Sequence, residues 1–189
     1  MKQEKLEDLL VKNRTIILQR WFELTLNTYP ADSRKFLKRQ TDRFANPVGA
    51  SISEGMEEIY ERLLKSGDSE PHEFATCLDK IVRIRAVQDF SPANAVGFVF
   101  LLKTAIRDAL AKEIREDRLF EQLLKVESRI DQLALLSFNI YMHCREQLFQ
   151  IKATEIRNRT SRILERACQK YGMPREWLAP EDDSKNSVT

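Results

Sequence analysis

The chain has 189 residues, of which 42% are apolar and 32% charged, and its formal net charge is +2. Such a chain is long and apolar enough to bury a core without disulfides or metals, and it is not wholly disordered. The small charge excess gives no strong attraction to nucleic acid or an anionic membrane, so we expect neither partner. The mixed-charge start and the lack of a long apolar run predict no signal peptide and no membrane insertion. Three scattered cysteines without a CxxC pair fit reduced thiols, which predicts a cytoplasmic protein.

Apolar residues recur at helical spacing along nearly the whole chain, and no segment alternates with the period of a strand. The spacing predicts a first helix over Leu6–Tyr29 and a short second helix capped by Asp32 or Ser33. Asn46-Pro47 is typical of an N-cap followed by the first helical position, and Gly67 suits the end of this third helix.

The second half of the chain is also predicted to be helical. A fourth helix opens at Ser69-Glu70-Pro71, and Ser91-Pro92 caps a fifth that runs to about Ile114. A long sixth helix follows over Arg118–Ile151, and the composition of Lys152–Tyr171 is helical too. The predicted fold class is therefore all-α.

The predicted helices divide the chain into a helical domain over residues 1–151, a basic helical extension over 152–175 and a flexible tail over 176–189. Gly172-Met173-Pro174 ends the extension. From Lys152 to Glu176, seven basic residues outnumber three acidic ones. A solvated helix face explains this excess, and a binding surface for an acidic partner is the alternative.

Small residues recur one helical turn apart at Ser51 and Gly55, and again at Ala93 and Gly97. A glycine inside a helix costs about 1 kcal/mol relative to alanine, which a fold tolerates where another backbone comes close. We therefore predict close helix crossings at both pairs; the alternative is that the positions are merely permissive.

Recognisable catalytic and ligand-binding motifs are absent from the sequence. It has no GxxxxGK[ST] phosphate loop, no GxGxxG loop, no HExxH motif and no local Ser-His-Asp or Cys-His context. Metal-ligand spacing is absent as well. We predict no catalytic residue, no metal ligand and no cofactor, and a protein that is not an enzyme.

Four polar residues form a candidate ligand or switch region where the fourth helix meets the Ser-Pro turn: Arg83, Arg85, Gln88 and Asp89. A ligand or interface role is one interpretation. The structural alternative is that basic groups near a helix C-terminus satisfy its last carbonyls and its dipole.

The long sixth helix carries a seam of residues spaced alternately by three and four. Its interface candidates are Ile130, Leu133, Ile140 and Cys144. Leu135, Leu136 and Phe138 broaden the seam, so the helix has two apolar faces, one for its own domain and one for a partner. We predict a homodimer across this helix; the alternative is a fully buried core helix.

Several segments match one known family, and they occur in the right order. They are YPAD at Tyr29–Asp32 with Phe36-Leu37 after it, DRFANPVG at Asp42–Gly49, EGMEEIYERLL at Glu54–Leu64, and IVRIRAVQDFSPANAVGFVFLLKTAIRDAL at Ile81–Leu110. On these segments, Trp21–Leu110 resembles the N-terminal domain of the RsbR/RsbRD family, the regulatory proteins of the bacterial stressosome.

The resemblance implies a globin-like helical domain without haem, which dimerises and receives a signal. In the stressosome proteins a phosphorylatable STAS domain follows, whereas no STAS domain fits in the residues after Ile151 here. The fourth helix, where a globin places its haem ligand, has no histidine. We expect structural or surface roles for His72 and His143, and we expect Cys77 to act as a small buried apolar residue.

These observations lead to three functional hypotheses. The first is a stand-alone, non-haem, globin-like sensory module that acts through dimerisation and contacts with a protein partner. The second is a carrier or sensor of an apolar ligand or haem in the helical pocket. The third is a non-catalytic accessory factor that binds an enzyme complex through its basic C-terminal helix.

Overall fold

The computed structural model describes residues 5–38, 44–65, 71–88, 90–116 and 119–172, and no strand occurs among them. This confirms the all-α fold with a long C-terminal helix. The helices are α1 (Leu6–Lys12), α2 (Arg14–Leu26), α3 (Ala31–Leu37), α4 (Pro47–Leu64), α5 (Ala75–Val87), α6 (Pro92–Ala109), α7 (Ala111–Glu116) and α8 (Phe120–Tyr171), with a 3₁₀ turn at Pro71–Phe74.

The first two predicted helices differ from the structure at their ends. Asn13 separates α1 from α2, and its side-chain amide donates to the carbonyl oxygen of Leu9 at 3.0 Å. The predicted caps of the short second helix, Asp32 and Ser33, are wrong because α3 already begins at Ala31, after the extended Pro30. Asp32 lies instead in the first turn, where its carboxylate is favourable to the helix dipole.

Two predicted N-caps are confirmed. The Asn46 Oδ1 atom accepts from the Gly49 amide at 2.9 Å, and the Ser91 hydroxyl accepts from the Asn94 amide at 3.4 Å. Gly172 follows α8 with a φ of +66°, a conformation that ends a helix cheaply only at glycine. The predicted cap of the third helix, Gly67, lies outside the described residues, as does the start of the fourth at Ser69.

The predicted breaks in the second half also shift. The fourth helix opens as the 3₁₀ turn before α5, and Leu110 divides the fifth into α6 and α7. The predicted long helix and extension form the single helix α8, because no residue between Phe120 and Tyr171 interrupts the helical pattern. The chain divides into unit 1, Met1–Arg145, and unit 2, Glu146–Thr189.

The core of unit 1 lies between α2, α4, α5, α6 and the first part of α8. The Trp21 indole NH on α2 donates to the Phe98 carbonyl oxygen on α6 at 2.6 Å, and the Tyr60 hydroxyl on α4 donates to the Leu10 carbonyl oxygen at 3.0 Å. Both polar groups are buried and therefore need these acceptors. The bonds join α2 to α6 and α4 to α1, so they fix four helices around one apolar centre.

The two helix glycines differ in their surroundings. A Cβ atom on Gly55 would lie 2.9 Å from Cγ1 of Ile81 and 3.3 Å from the carbonyl oxygen of Cys77, so α4 crosses α5 closely there, as predicted. A Cβ atom on Gly97 would meet nothing within 4 Å. The predicted close crossing at Gly97 is therefore wrong.

The described part of unit 2 is the end of α8 together with Gly172. Its side chains are exposed throughout residues 149–166, including the basic residues at Lys152, Arg157, Arg159 and Arg162, whereas Cys168 is buried. A long exposed run with this many cations fits the predicted basic helical extension.

Candidate functional site

The three described residues of the predicted switch region, Arg83, Arg85 and Gln88, have different surroundings. Arg83 is exposed, and its Nε and Nη2 atoms each donate to the Asp79 carboxylate at 3.1 Å, an ordinary pair along one helix. Arg85 is fully buried, Gln88 is exposed at the end of α5, and Asp89 lies outside the described residues. Of the three described residues, Gln88 lines a cavity and Arg85 contacts two of the rings that line it.

Arg85 has an incomplete set of hydrogen-bond partners. Its Nη2 atom donates to the Thr28 hydroxyl at 2.6 Å and to the Asn94 carbonyl oxygen at 3.0 Å. Its Nε and Nη1 atoms have no acceptor among the described residues, although they are buried. Since Arg carries five N–H groups, three of them remain without an acceptor.

Three aromatic rings surround the positive charge of Arg85. The Arg85 Cζ atom lies 4.5 Å from the ring centroid of Phe90, 5.0 Å from that of Tyr29 and 5.6 Å from that of Phe98. Ring faces attract a cation but supply no proton acceptor. We call Arg85 with these three rings the arginine cage.

Burial sets the acid–base behaviour of the cage. Loss of water lowers the pKa of Arg85 and raises that of Tyr29, and their proximity partly opposes both shifts. The Tyr29 hydroxyl interacts with Arg85 closely enough to lower its own pKa and to raise that of Arg85. Its geometry falls short of a good hydrogen bond, so neither polar group of the cage is fully satisfied.

A cavity of about 470 Å³ adjoins the cage. Its lining residues are Tyr29, Pro30, Ser33, Phe36, Leu37, Val48, Gln88 and Phe90. Tyr29 and Phe90 belong to both, whereas Arg85 is not among the residues that line the cavity. A larger open groove of about 1180 Å³ lies in unit 2, but the residues that line it come from α8 alone.

The cage is joined to the long helix α8. The Tyr141 hydroxyl on α8 donates to the Phe90 carbonyl oxygen at 2.7 Å, and the Arg145 Nη1 atom donates to the Ala86 carbonyl oxygen at 3.3 Å. The Phe90 amide in turn donates to the Arg85 carbonyl oxygen at 3.3 Å. A displacement of Phe90 would therefore act directly on α8.

The predicted interface candidates lie on the core side of α8. Ile130, Leu133 and Cys144 are buried, and Ile140 packs against the core as a partly buried residue. In this arrangement the three-four seam packs in the chain's own core, and the interface role of these four residues stays a prediction. Dimerisation itself stays a prediction.

The exposed apolar face of α8 within unit 1 consists of residues that broadened the predicted seam and of others along the same side. They are Phe120, Leu124, Leu135, Phe138 and Met142. At about 100° per residue, these side chains fall within about 60° around the helix axis. We call this set the outer face of α8.

Sequence reasoning missed the partners of Arg85. Thr28, Tyr29, Phe90 and Phe98 come from separate parts of the chain, and no local spacing links them. The available signal was an arginine near the end of an apolar helix, with a Tyr-Pro and a Phe-Ser turn elsewhere. That signal does not indicate which side chains meet.

A sequence profile decides the family. The RsbT co-antagonist protein rsbRD N-terminal domain matches residues 16–156 of this chain. The chain belongs to that family. The match covers the arginine cage, the cavity and the outer face of α8, so all three are features of this RsbRD N-terminal domain.

Other comparisons of the RsbRD N-terminal domain add little on function. It is 27% identical over 112 residues to an uncharacterized protein of Archaeoglobus fulgidus. The aligned region covers 57% of this chain and 68% of that protein. No solved structure matches it. The globin-like likeness therefore stays a prediction.

Potential metal and haem ligands are scattered in this RsbRD N-terminal domain. The described ranges contain no group of three or more His, Cys, Asp or Glu side chains able to hold a metal ion. His72 and His143 are exposed, and neither lines the cavity beside the cage. Cys77 is buried as predicted: its Sγ atom donates to the Phe74 carbonyl oxygen at 3.1 Å, and burial raises the pKa of the thiol.

No helix within the described ranges combines the length and the apolar character that crossing a bilayer requires.

Proposed function

We propose that this chain is a non-catalytic sensory module that homodimerises through the outer face of α8 and regulates another protein. The family supports a regulatory role, since its description is that of a co-antagonist protein domain. The free, reduced cysteines fit a cytoplasmic location.

The outer face of α8 is the observation that carries this proposal. Leu135 is 69% exposed and Met142 49%, although both are large apolar residues on a helix whose other side is buried. Single exposed apolar residues are ordinary, but a row of them along one side of a helix favours a protein contact. A second copy presents the same row, and a two-fold axis would bury both at once.

The anchoring of α8 to its own domain suits such a contact. Glu127 pairs with Arg107 at 2.6 Å, Asp131 pairs with Lys103 at 2.6 Å, and the Arg129 Nη1 atom donates to the Leu63 carbonyl oxygen at 3.0 Å. These bonds fix the rotation of the helix, so its outer row has a defined direction. A fixed row loses little entropy on binding.

The test is the oligomeric state of the full chain, measured by sedimentation velocity at micromolar concentration. We expect the wild type to sediment as a dimer and Leu135→Lys to shift the population toward monomer. Lysine is chosen because position 135 lies one turn after Asp131, so a positive charge there is compatible with the helix. Gln132→Lys is the matched control, since Gln132 is an exposed polar residue on another side of α8.

Either of two results would contradict the dimer: a monomeric wild type at these concentrations, or a Leu135→Lys dimer as stable as that of Gln132→Lys. Far-ultraviolet circular dichroism of both variants separates loss of the contact from loss of the fold.

The exposed basic residues of unit 2 favour a second candidate, a non-catalytic accessory factor that contacts an acidic partner surface. Removing the chain from Lys152 onward should abolish co-purification with such a partner and leave unit 1 folded. A partner that is retained by the shortened chain would exclude this candidate.

A further inference from the structure

We propose that the cavity beside the arginine cage binds a small apolar molecule with a single carboxylate, and that this carboxylate pairs with Arg85. The inference rests on the proposed sensory function and names its ligand class. It also identifies Phe90 and Tyr141 as the connection from the ligand to α8.

The charge on Arg85 is the first part of the argument. A buried cation is stable when it is paired or fully hydrogen-bonded, and Arg85 has two acceptors for five N–H groups. No carboxylate of the described residues pairs with it, and its Nε and Nη1 atoms lack any acceptor there. One anionic group would neutralise the Arg85 charge, and its oxygen lone pairs would accept the remaining N–H groups.

The cavity indicates the rest of the ligand. Its volume of about 470 Å³ falls within the range of small-molecule sites. Apolar and aromatic side chains make up most of its lining, with Ser33 and Gln88 as the polar exceptions. The ligand body is therefore apolar, and the polar head belongs at the cage.

The number of donors decides between a carboxylate and a phosphate. A phosphate carries up to two negative charges and three acceptor oxygens, and protein sites for it combine several cations or backbone amides. Arg85 is the one cation in this cage: Arg83 is directed to Asp79, and Arg34 donates to the Tyr29 and Asn27 carbonyl oxygens without lining the cavity. A single monovalent carboxylate matches the available charge.

Access requires one aromatic ring to move. Tyr29 and Phe90 contact each other edge to face at 4.9 Å between centroids; both line the cavity, and their ring centroids lie 5.0 and 4.5 Å from the Arg85 Cζ atom. Ser33 and Phe36 line the same cavity and are exposed, so a ligand enters beside them. The head reaches Arg85 when the Phe90 or Tyr29 ring turns aside.

The same movement reaches α8. The Phe90 carbonyl oxygen accepts a hydrogen bond from the Tyr141 hydroxyl, so a shift of Phe90 loosens or strains that bond. Tyr141 lies on the core side of α8, one residue before Met142 of the outer face. Ligand binding is thereby coupled to the surface proposed for dimerisation.

Isothermal titration of the full chain with octanoate, and with 1-octanol as the uncharged match, tests the ligand class. We expect one octanoate per chain and at least about ten-fold weaker binding of 1-octanol, the preference that a single charge-assisted hydrogen bond provides. Equal affinity for the two probes, or no binding of octanoate, would overturn the proposal.

Two variants locate the site. Arg85→Gln should reduce the preference for octanoate over 1-octanol to near unity. Because that residue is buried and its loss can unfold the chain, Val48→Trp serves as a second variant, which fills the cavity and should abolish binding of both probes. Val11→Trp is its matched control at an exposed valine outside the cavity. Octanoate binding that survives Val48→Trp would place the ligand elsewhere and overturn the assignment.

Hydrogen exchange tests the proposed coupling between the cavity and α8. Hydrogen exchange of α8 around Tyr141 should change when octanoate binds the wild type and should not change in Tyr141→Phe, whose octanoate affinity stays within about two-fold. An equal response in both proteins would overturn the connection. Octanoate binding by monomeric Leu135→Lys separates the two proposals, because a failed dimer leaves the ligand site intact.

Discussion

At the scale of single residues, the two helix glycines have different surroundings, so the same substitution should change stability in opposite directions. Gly55→Ala should reduce the free energy of unfolding by about 1–3 kcal/mol, because its Cβ atom would press on the buried Ile81 side chain and overpacking outweighs the gain in helix propensity. Gly97→Ala should raise it by up to about 1 kcal/mol, since the position has open space. Urea denaturation measures both.

The two glycine variants control each other, because the chemical change is the same and only the surroundings differ. Stabilisation by Gly55→Ala would mean that α4 and α5 are farther apart than the structure has them. Destabilisation by Gly97→Ala would mean that a neighbour occupies the space beside α6.

Residue-scale features were predictable from the sequence where the partner is close in the chain. Asn46 and Ser91 cap helices through amides three residues later, so the spacing alone identified them. The hydrogen bonds of Arg85 go to the Thr28 side chain, 57 residues earlier, and to the Asn94 carbonyl oxygen, 9 residues later. No local rule pairs an arginine with a distant tyrosine and phenylalanine, so only its position near a helix end was predicted.

At the scale of elements, one ion pair contributes strongly to the docking of α8 on α6. Arg107 donates from Nε and Nη2 to the two carboxylate oxygens of Glu127 at 2.6 and 2.7 Å, and Glu127 is only 6% exposed. Arg107→Ala should lower the free energy of unfolding by about 2 kcal/mol, because it leaves a buried carboxylate without its cation. Chemical denaturation measures the change.

The matched control is Arg20→Ala, which removes a pair between α2 and α6 in which both Arg20 and Asp108 are more than 40% exposed. Water screens that pair, so its loss should cost less than about 1 kcal/mol. Equal costs for the two variants would show that burial of Glu127 does not strengthen its pair.

The faces of α8 show why an element can be predicted while its role is not. Helical spacing identified a long helix with two apolar sides, and both sides exist. A three-four seam describes a coiled-coil contact and an intramolecular core equally well, because both bury one stripe of a helix. The packing of α4, α5 and α6 decides between them, and that packing is not encoded within α8.

At the scale of the whole molecule, the core contains acidic groups that folding keeps protonated. Burial raises the pKa of Tyr29 and Tyr60 above the ordinary value of 10.0, and that of Cys77 above 9.0. The folded state therefore binds more protons than the unfolded chain once the pH exceeds about 9. The stability that these groups contribute is complete below that pH and is lost as the pH rises.

We therefore expect the urea midpoint to be lower at about pH 10.5 than at about pH 8, because unfolding then releases protons from the buried groups. Tyr60→Phe should lower the midpoint at the lower pH, since it deletes the hydrogen bond to the Leu10 carbonyl oxygen, but it should reduce the fall between the two pH values. Tyr171→Phe, at an exposed tyrosine, should leave the fall unchanged. A midpoint that rises with pH would mean that the buried phenols and thiol do not control alkaline stability, and an unaltered fall in Tyr60→Phe would remove Tyr60 from that set.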